Sequence, residues 1–276
     1  MKIAAIVPAY NESHAIKNVV DDLIAAGLKS SINITIVVIN DCSTDTTGAI
    51  IDKLPCVAIH LPVNLGIGGA VQTGFRFALE NDFDFAIQVD GDGQHPAEEI
   101  FKIISGAIKN NWDVTIGSRF LTKEGFQSSS MRRAGIKYFH RLNKFLTGVS
   151  IHDTTSGFRL LNKKAIAIVS EYYPDEYPEP EAIVLYARHK LRIGEVQVQM
   201  RERQGGVSSI NSSVAIYYMG KVTLACLFTR VRNLEVEKTL RREFLFLLRI
   251  FLFTSLLISL IFRLLILCQK EACNYM

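Results

Sequence analysis

The segment DFAIQVDGDGQH, at positions 84–95, constrains the fold of this chain more than any other stretch. An apolar run ends abruptly in Asp90 and Asp92, which predicts a buried strand that runs out into a polar loop. Open α/β sheets bind ligands at the carboxyl ends of their strands. Carboxylates and the amide oxygen of Gln94 are hard oxygen ligands, suited to Mg²⁺ or Mn²⁺ and through the ion to a diphosphate. The alternative is an ordinary Asp-Gly turn in a hairpin.

The order of the remaining segments favours the first interpretation. Apolar runs alternate with helical patterns along the chain, which predicts a mostly parallel sheet covered by helices. A helix after the first strand is expected to end at Gly27. Polar clusters follow the strands repeatedly, at what would be one edge of one sheet. The expected strands are 3–7, 34–39, 56–61, 84–89 and 114–116.

Composition fits one large α/β domain with an appendage. The chain has 276 residues, of which 49% are hydrophobic, and its net charge of +4 does not indicate a nucleic-acid-binding protein. The N-terminus has no apolar segment of signal-peptide length, so we expect the main domain to stay in the cytoplasm. The cysteines have no CxxC spacing or disulfide pattern, which favours a reduced compartment. They are Cys42, Cys56, Cys226, Cys268 and Cys273.

A glycine cluster lies at a predicted strand-to-helix turn and consists of Gly66, Gly68, Gly69 and Gly74. A dinucleotide fingerprint that starts at Gly66 would need glycine in place of Val71. A P-loop that starts at Gly69 would need Lys and Ser/Thr in place of Phe75 and Arg76. Two interpretations remain for this cluster. Its backbone N–H groups face an anionic ligand at a helix N-terminus, or the glycines permit close helix packing.

Several segments, taken in order, resemble glycosyltransferase family 2, whose members have the GT-A nucleotide-sugar-binding fold. They are IVPAYNE (6–12), INDCSTDTT (39–47), NLGIGGAVQTGF (64–75) and VDGDGQHP (89–96). Cys42 stands where the family usually has a small residue or aspartate. Three further segments are most similar to the dolichyl-phosphate mannose synthase branch of the family. They are GSRF (117–120), TSGFR (155–159) and RERQGGVSSI (201–210).

The resemblance covers roughly residues 1–225 and implies an α/β fold of the GT-A (Rossmann-like) type. We expect a mostly parallel central sheet flanked by helices, with a C-terminal apolar helical tail. The glycosyltransferase domain is expected to cover 1–229. A basic linker and a membrane-associated helix are expected to cover 230–276.

The resemblance also implies a pocket for a GDP- or UDP-linked sugar donor. Asp41 would contact the nucleobase and ribose, and Pro8, Tyr10 and Glu12 would shape the pocket around them. Each acidic residue has a simpler interpretation. Glu12 is also typical of a first helical turn, and Asp41 is typical of an Asx-turn.

The metal site implied by the resemblance is built from Asp90, Asp92 and Gln94. These residues would hold Mg²⁺ or Mn²⁺ against the sugar diphosphate. A metal ion lowers the barrier there as a Lewis acid, because charge develops on the departing nucleoside diphosphate. Asp92 is therefore expected to be catalytic, and Asp90 is also expected to bind the donor.

Arginines are expected to handle the phosphates, because a guanidinium offers a planar, bidentate set of donors. Arg119, Arg132 and Arg203 match positions that bind acceptor phosphate or donor diphosphate in polyprenyl-phosphate sugar synthases. We assign Arg119 to catalysis and the acceptor phosphate, Arg132 and Arg133 to the acceptor phosphate, and Arg203 to the donor.

Residues 131–146 form a predicted amphipathic helix with one basic face. The face carries Arg133, Lys137, His140, Arg141 and Lys144. A basic amphipathic helix fits a membrane surface with anionic headgroups. The alternative is an ordinary solvated helix face. Nucleic-acid binding is not favoured, because the sequence lacks aromatic stacking platforms interleaved with the basic residues of this face and lacks a recognised nucleic-acid-binding motif.

The segment 244–267 is almost wholly apolar and is interrupted by Arg249 and Arg263. It is long enough to span a membrane, but it also fits a helix in the interface, a helix packed against a membrane-protein partner, or a soluble core helix. We expect membrane attachment, with the charged segment before it at the cytoplasmic surface.

Two acceptors are compatible with this sequence. A polyprenyl phosphate carries its own negative charge, whereas a sugar hydroxyl needs a carboxylate to take its proton. Glu179 and Glu181 lie at the start of a predicted helix, and Glu181 is the candidate base. Both glutamates are also typical of a first turn, where the helix dipole favours them.

The sequence thus predicts a metal-dependent, inverting glycosyltransferase at the cytoplasmic face of the membrane. Its partners would be a nucleotide-sugar and a polyprenyl phosphate. A first alternative is transfer to a sugar hydroxyl of a polysaccharide or lipid-linked oligosaccharide, with Glu181 as base. A second is a noncatalytic nucleotide-binding membrane scaffold, which would have no need to keep Asp90, Asp92 and Gln94.

Overall fold

The structure is a computed structural model that describes residues 1–30, 32–122, 130–201, 212–231 and 250, with the side chains of 130–132 and 212–216 left out. Two units divide the chain, Met1–Arg232 and Asn233–Met276. Apart from Ile250, the described residues belong to the first unit. The apolar segment 244–267 therefore lies outside the described residues except at that position, and its membrane role stays a prediction.

Within the described part of the chain, seven strands form one sheet in the spatial order β3-β2-β1-β4-β6-β5-β7. Neighbouring strands run parallel, except that β6 is antiparallel to both β4 and β5. The predicted mostly parallel sheet is confirmed, and the five expected strands lie within two residues of their observed bounds. The strands are β1 Ile3–Ala9, β2 Ile34–Asn40, β3 Val57–His60, β4 Phe85–Gln88, β5 Val114–Ser118, β6 Arg159–Asn162 and β7 Ile193–Gln197.

Helices cover both faces of this sheet. Two apolar clusters flank it, one built with side chains of α3, α6 and α7 and the other with those of α1 and α4. All seven residues of β1 are buried, because this central strand has a helical layer on each side. The helices are α1 Ile16–Ser30, α2 Thr47–Ile51, α3 Gly66–Glu80, α4 Ile100–Asn110, α5 Ser130–Thr147, α6 Lys163–Glu171, α7 Pro178–Arg188 and α8 Ser212–Val231.

The predicted end of α1 at Gly27 is wrong, since the helix continues to Ser30. Glycine inside a helix costs about 1 kcal/mol relative to alanine, which tertiary packing readily offsets. The buried face of Leu23 and Ala26 holds this part of α1 against the sheet. The Ser30 hydroxyl donates to the carbonyl oxygens of Ala26 and Gly27 and so satisfies two acceptors at the helix end.

The glycine cluster permits close packing at the start of α3. A Cβ atom on Gly68 would lie 2.0 Å from the Pro174 carbonyl oxygen, and one on Gly74 would lie 2.2 Å from Cγ2 of Ile6. The Gly68 N–H already donates to the carbonyl of Asp175. Of the two interpretations left by the sequence, the structure therefore favours helix packing.

The loop before β6 lies directly against the end of β5. The Gly117 N–H donates to the Phe158 carbonyl at 2.8 Å, and the Ser156 hydroxyl donates to the Gly117 carbonyl at 2.6 Å. A Cβ atom on Gly157 would lie 3.2 Å from Oδ1 of Asp90. The antiparallel strand β6 thus brings the loop 153–158 beside the polar end of β4.

Helices α5, α7 and α8 pack together next to this loop. The predicted basic face of α5 is largely confirmed, because Lys137, Arg141 and Lys144 are exposed. His140 departs from the prediction, since it is half-buried and stacks on His152 with ring centroids 5.1 Å apart. Within the described ranges, the helices all fall short of the combined length and hydropathy that crossing a membrane requires.

Candidate active site

A cleft of about 510 Å³ opens where β1, β2 and β4 end. Its size is in the range of small-molecule sites, and its position is the one at which open α/β sheets bind ligands. The start of α3 and the segment that leads into α7 form its other walls. The cleft is lined by Pro8, Ala9, Tyr10, Glu12, Asp41, Asn64, Gly66, Ile67, Ala70, Asp90, Gly91, Asp92, Asp175, Glu176, Tyr177 and Glu179.

The loops after β1 and β2 are tied to each other beside the cleft. Asn11 has a φ of 56°, in the left-handed region where asparagine is tolerated better than most residues. Its side-chain oxygen accepts hydrogen bonds from the N–H groups of Thr44 (2.8 Å) and Asp45 (3.3 Å). The Asn11 N–H in turn donates to the Ser43 hydroxyl. These bonds fix the two predicted donor-binding loops relative to one another.

Asp41 joins the end of β2 to the start of α3. It is 3% exposed, and its carboxylate accepts a hydrogen bond from the Leu65 N–H at 2.7 Å. The Asn64 side chain donates to the Asp41 carbonyl at 3.1 Å. The structure thus brings Asp41 together with Pro8, Tyr10 and Glu12 around one cleft, as the sequence predicts. Asn64 is an additional lining residue that was not predicted.

Asp90 and Asp92 both line the cleft, whereas Gln94 is absent from its described lining. The Gln94 N–H donates to the Asp92 carboxylate at 3.0 Å, and the Gln94 carbonyl accepts from the N–H of Arg201. Gln94 therefore orders the loop in this structure through its main chain. Glycine is required at position 91, because a Cβ atom there would lie 2.8 Å from the Pro8 carbonyl oxygen.

His95 holds the main chain at Asp90 in place. Its Nδ1 accepts a hydrogen bond from the Asp90 N–H at 3.0 Å, which requires the ring proton to be on Nε2. Nε2 lies 3.5 Å from the Asp90 carboxylate, and the ring stacks on Phe158 with centroids 4.5 Å apart. Sequence reasoning assigned no role to His95, although it follows the aspartates directly.

The cleft is strongly acidic. Among the described residues that line it, seven are Asp or Glu, and none is Lys, Arg or His. This charge repels a diphosphate, because like charges at short range repel strongly in a partly desolvated site. The oxygens of Asp90 and Asp92 fit the ligand preference of Mg²⁺ or Mn²⁺, and an ion held there would offset part of this repulsion.

The protein alone supplies few ligands for such an ion. Within the described ranges, no group of three or more His, Cys, Asp or Glu side chains is arranged to hold a metal. Mg²⁺ is commonly bound by one or two carboxylates together with substrate phosphates and water. The donor set of Asp90 and Asp92 therefore fits an ion that arrives with a diphosphate.

Arg119 forms a buried ion pair with Asp153 behind the cleft. Nε and Nη2 of the guanidinium donate to the two carboxylate oxygens at 2.7 and 2.8 Å, and the Arg119 N–H donates to the same carboxylate. Burial opposes the charged form, but the hydrogen bonds and charge of Asp153 outweigh it and raise the pKa of Arg119. The charges of Asp90 and Glu179 act in the same direction. Asp153 is a residue that sequence reasoning missed.

The two glutamates of α7 have different surroundings. Glu179 lines the cleft, and burial raises the pKa of its carboxyl against the opposing charge of Arg159. Glu181, the predicted base, is 8% exposed and accepts hydrogen bonds from the hydroxyls of Tyr172 and Thr229. It is not among the described cleft residues. The structure therefore places Glu179, and not the predicted Glu181, among the described cleft residues, because Tyr172 and Thr229 hold the Glu181 carboxylate by hydrogen bonds.

The other predicted arginines do not lie in the described cleft lining. Arg133 is exposed on α5. Arg132 belongs to α5, but its side chain is outside the described part of the structure. Arg203 lies outside the described residues altogether. Their predicted contacts with phosphate stay predictions.

The fold and the cleft define a class of protein. A mostly parallel sheet with paired aspartates at a strand end, beside a nucleotide-sized cleft, is typical of glycosyltransferases with the GT-A nucleotide-sugar-binding fold. Residues 4–168 match the family described as Glycosyl transferase family 2. The chain therefore belongs to this family and is a glycosyltransferase, as the sequence resemblance implies.

Proteins of known activity are similar to this chain over most of its length. One is the UDP-N-acetylglucosamine--dolichyl-phosphate N-acetylglucosaminyltransferase of Methanococcus voltae, which is 30% identical over 71% of this chain and 84% of its own. Another is the polyprenol monophosphomannose synthase of Mycolicibacterium smegmatis, which is 28% identical over 75% of this chain and 80% of its own.

A solved structure supports the fold. Glucosyl-3-phosphoglycerate synthase of Mycobacterium tuberculosis, in complex with Mn²⁺, UDP and glucosyl-3-phosphoglycerate, has a TM-score of 0.61 and 17% sequence identity. The comparison covers 83% of this chain and 79% of that one. The predicted GT-A fold is confirmed.

We expect Asp153→Asn to destabilise the protein by about 3 kcal/mol, because removing one charge of a buried pair leaves the other uncompensated. Urea denaturation followed by circular dichroism measures the loss. Lys163→Met, which removes an exposed ion pair with Asp82, is the control and should leave the denaturation midpoint unchanged. Equal midpoints for the Asp153 variant and the unchanged protein would contradict the structural role of the pair.

Proposed function

We propose that this glycosyltransferase is a metal-dependent, inverting enzyme that transfers a sugar from a nucleoside diphosphate to a polyprenyl phosphate at the cytoplasmic face of a membrane. The observation that carries the proposal is the acidic cleft at the strand ends, which favours a divalent cation that accompanies the diphosphate. The names of the relatives from Methanococcus voltae and Mycolicibacterium smegmatis support a polyprenyl-type acceptor. The donor is GDP- or UDP-linked.

Donor binding follows from the residues around the cleft. Asp41 offers a carboxylate to the nucleobase and ribose hydroxyls, and Tyr10, 48% exposed, offers a ring that covers them. Asp90 and Asp92 would hold Mg²⁺ or Mn²⁺, and the bound ion would supply Lewis-acid stabilisation to the departing diphosphate. His95 keeps the Asp90 main chain fixed, so the carboxylate needs little reorganisation.

The acceptor decides whether the reaction needs a base. A phosphomonoester has a second pKa of about 6 and attacks the anomeric carbon with an oxygen that is already ionised. In that case Glu179 acts as a hydrogen-bond acceptor for hydroxyls of the donor sugar, and charge-assisted bonds of this kind are about twice as strong as neutral ones. One displacement inverts the anomeric carbon, and the nucleoside diphosphate leaves with the bonding electrons.

A second candidate acceptor is a sugar hydroxyl. The raised pKa of Glu179 in the cleft favours this candidate, because a general base works best when its pKa lies nearer to the working pH. Glu179 would then take the hydroxyl proton during the attack. Glu181, which faces Thr229 on α8, is not proposed for this role.

Helices α5 and α8 support contact with the membrane that carries the acceptor. The Tyr138 and Thr223 hydroxyls are hydrogen-bonded at 2.9 Å, so the two helices are neighbours. Exposed lysines and arginines on α5 are suited to anionic lipid headgroups. Leu224 is 54% exposed and Phe228 is 68% exposed on α8, and both are suited to the apolar boundary of a bilayer.

We expect transfer of labelled sugar to a polyprenyl phosphate by at least one donor in a panel of GDP- and UDP-sugars with Mn²⁺ or Mg²⁺. Asp92→Asn should lower kcat/KM at least about 100-fold, because a metal ion contributes several kcal/mol to such a transition state. Asp84→Asn, at the opposite end of β4, is the matched control and should keep full activity. Absence of product with every donor, or full activity of the Asp92 variant in EDTA, would refute the proposal.

Glu179→Gln distinguishes the two acceptors. With a polyprenyl phosphate, kcat should fall only about tenfold, since the amide still accepts a hydrogen bond from the donor sugar. With a hydroxyl acceptor, it should fall at least about 1000-fold, because the proton has no acceptor. Glu181→Gln is the matched control, and its kcat should stay near the unchanged value in both assays. A larger loss for Glu181→Gln than for Glu179→Gln would refute the assignment.

The membrane surface is tested by reversing three charges on α5 together, Lys137→Glu, Arg141→Glu and Lys144→Glu. We expect KM for acceptor embedded in anionic vesicles to rise at least about tenfold, since each basic residue near such a surface contributes about 1 kcal/mol. KM for a short, water-soluble acceptor should not change. Reversal of Lys29, Lys53 and Lys109, which are also exposed, is the control. Equal KM values for the two triple variants would remove α5 from the membrane contact.

A further inference from the structure

Arg159, the first residue of β6, is a buried cation held by main-chain oxygens. It is 1% exposed. Its Nε donates to the Ser156 carbonyl at 2.7 Å, and its Nη2 donates to the carbonyls of Thr154 (3.1 Å) and Glu179 (2.8 Å). Nη1 is buried without a hydrogen-bond partner. A buried guanidinium that meets mainly carbonyl dipoles is costly, so a compensating negative charge is expected nearby.

The carboxyl group of Glu179 is an acidic group on which the charge of Arg159 acts. Burial is the strongest influence on this carboxyl and raises its pKa, and the positive charge of Arg159 is the next strongest and acts in the opposite direction. Asp90 opposes ionisation of Glu179, while Arg119 favours it. The hydroxyls of Tyr173 and Tyr186 also face this region, and burial raises the pKa of both, so they stay neutral.

The first turn of α7 is rigid where it carries Glu179. Pro178 and Pro180 flank the glutamate, and proline fixes φ at values that suit the start of a helix. The buried Asn143 side chain donates to the Pro180 carbonyl at 3.0 Å. Arg159 holds the neighbouring carbonyl, that of Glu179, from the side of the sheet. Two side chains from different elements thus clamp two successive carbonyls of this turn.

We propose that Arg159 is the positioning residue for Glu179: it holds the main chain of Glu179 and places a positive charge near its carboxyl group, so that this group is directed into the cleft. Its hydrogen bonds join the loop 154–156, which lies beside Asp90, to the turn that carries Glu179. The functional consequence rests on the proposed transfer reaction, in which Glu179 faces the donor sugar or the acceptor. Arg159 itself does not line the cleft among the described residues.

Two substitutions separate the charge of Arg159 from its hydrogen bonds. Arg159→Lys keeps a positive charge, and Arg159→Gln keeps donors for the carbonyls but is neutral. We expect kcat to fall five- to tenfold further for the glutamine variant than for the lysine variant, because only lysine stabilises the ionised Glu179. In a Glu179→Gln background the kcat values of the two variants should differ by less than about twofold. The charge of Arg159 then has no carboxylate to act on, and the effects of substitutions at coupled residues do not add.

The control for loss of a guanidinium-to-carbonyl bond is Arg76→Gln. Arg76 donates to the Ser170 carbonyl at 2.9 Å and joins α3 to α6 outside the described cleft lining. Its kcat should stay near the unchanged value. Thermal unfolding of each variant establishes that the compared proteins are folded. A merely structural role for Arg159 predicts equal losses for the lysine and glutamine variants in both backgrounds, and that result would overturn the proposal.

A second readout does not depend on the transfer reaction. The carboxyl carbon of Glu179, followed by ¹³C NMR during a pH titration of the metal-free protein, should titrate at higher pH in Arg159→Gln than in the unchanged protein. In Arg159→Lys it should titrate close to the unchanged value. An unchanged titration in Arg159→Gln, with sugar transfer intact in the unchanged protein, would overturn the positioning role and leave the proposed function standing. If Glu179 titrates at higher pH in Arg159→Gln but the unchanged protein transfers sugar from no donor, the positioning role stands and the proposed function is refuted.

Discussion

The concentration of negative charge in the cleft is the constraint on which the rest of the site depends. Seven carboxylates line a space of about 510 Å³, and no Lys, Arg or His is among the described residues that line it. Arg119 and Arg159 are buried and fixed by hydrogen bonds, and their positive charges offset part of the repulsion between these carboxylates. Under the proposed function, a divalent cation that accompanies the donor would offset the same charge from the open side of the cleft. The site would then bind a diphosphate better with the cation than without it, because the cation offsets the negative charge that repels the diphosphate.

The two halves of the sheet contribute different parts of this arrangement. The parallel strands β1, β2 and β4 end in the residues that form the donor side, and their loops are tied together through Asn11. The antiparallel strand β6 carries the loop that supplies Asp153 and the guanidinium of Arg159. Helix α7 then brings Glu179 to the opposite wall of the cleft. Under the proposed function, the donor would bind at the strand ends, and the acceptor would approach from the side of the helical layer.

The sequence predicts well which strand-end side chains line the cleft, because apolar strands that end in Asp41 or Asp90 leave few alternatives for where those side chains lie. It does not predict β6, which has only four residues and whose pairing depends on strands distant in the sequence. It also cannot decide between Glu179 and Glu181. Both lie in the first turn of α7, and only the hydrogen bond from Thr229 on α8 and the contact with Arg159 determine which one faces the cleft. Asp153 was missed because a single aspartate in a polar loop has many structural roles.

The position of β6 between β4 and β5 has a consequence for the order in which this protein folds. The strands β3, β2, β1 and β4 and the helices between them come from the first 88 residues, and these four strands pair with one another within that segment. The other strands cannot join them until β6 has been synthesised, since it alone bridges β4 to β5 among the described pairings. This four-stranded part is therefore able to form on the ribosome before β5, β6 and β7 have been synthesised. Pulsed hydrogen exchange during refolding would reveal it as earlier protection of β1 and β2 than of β5 and β7.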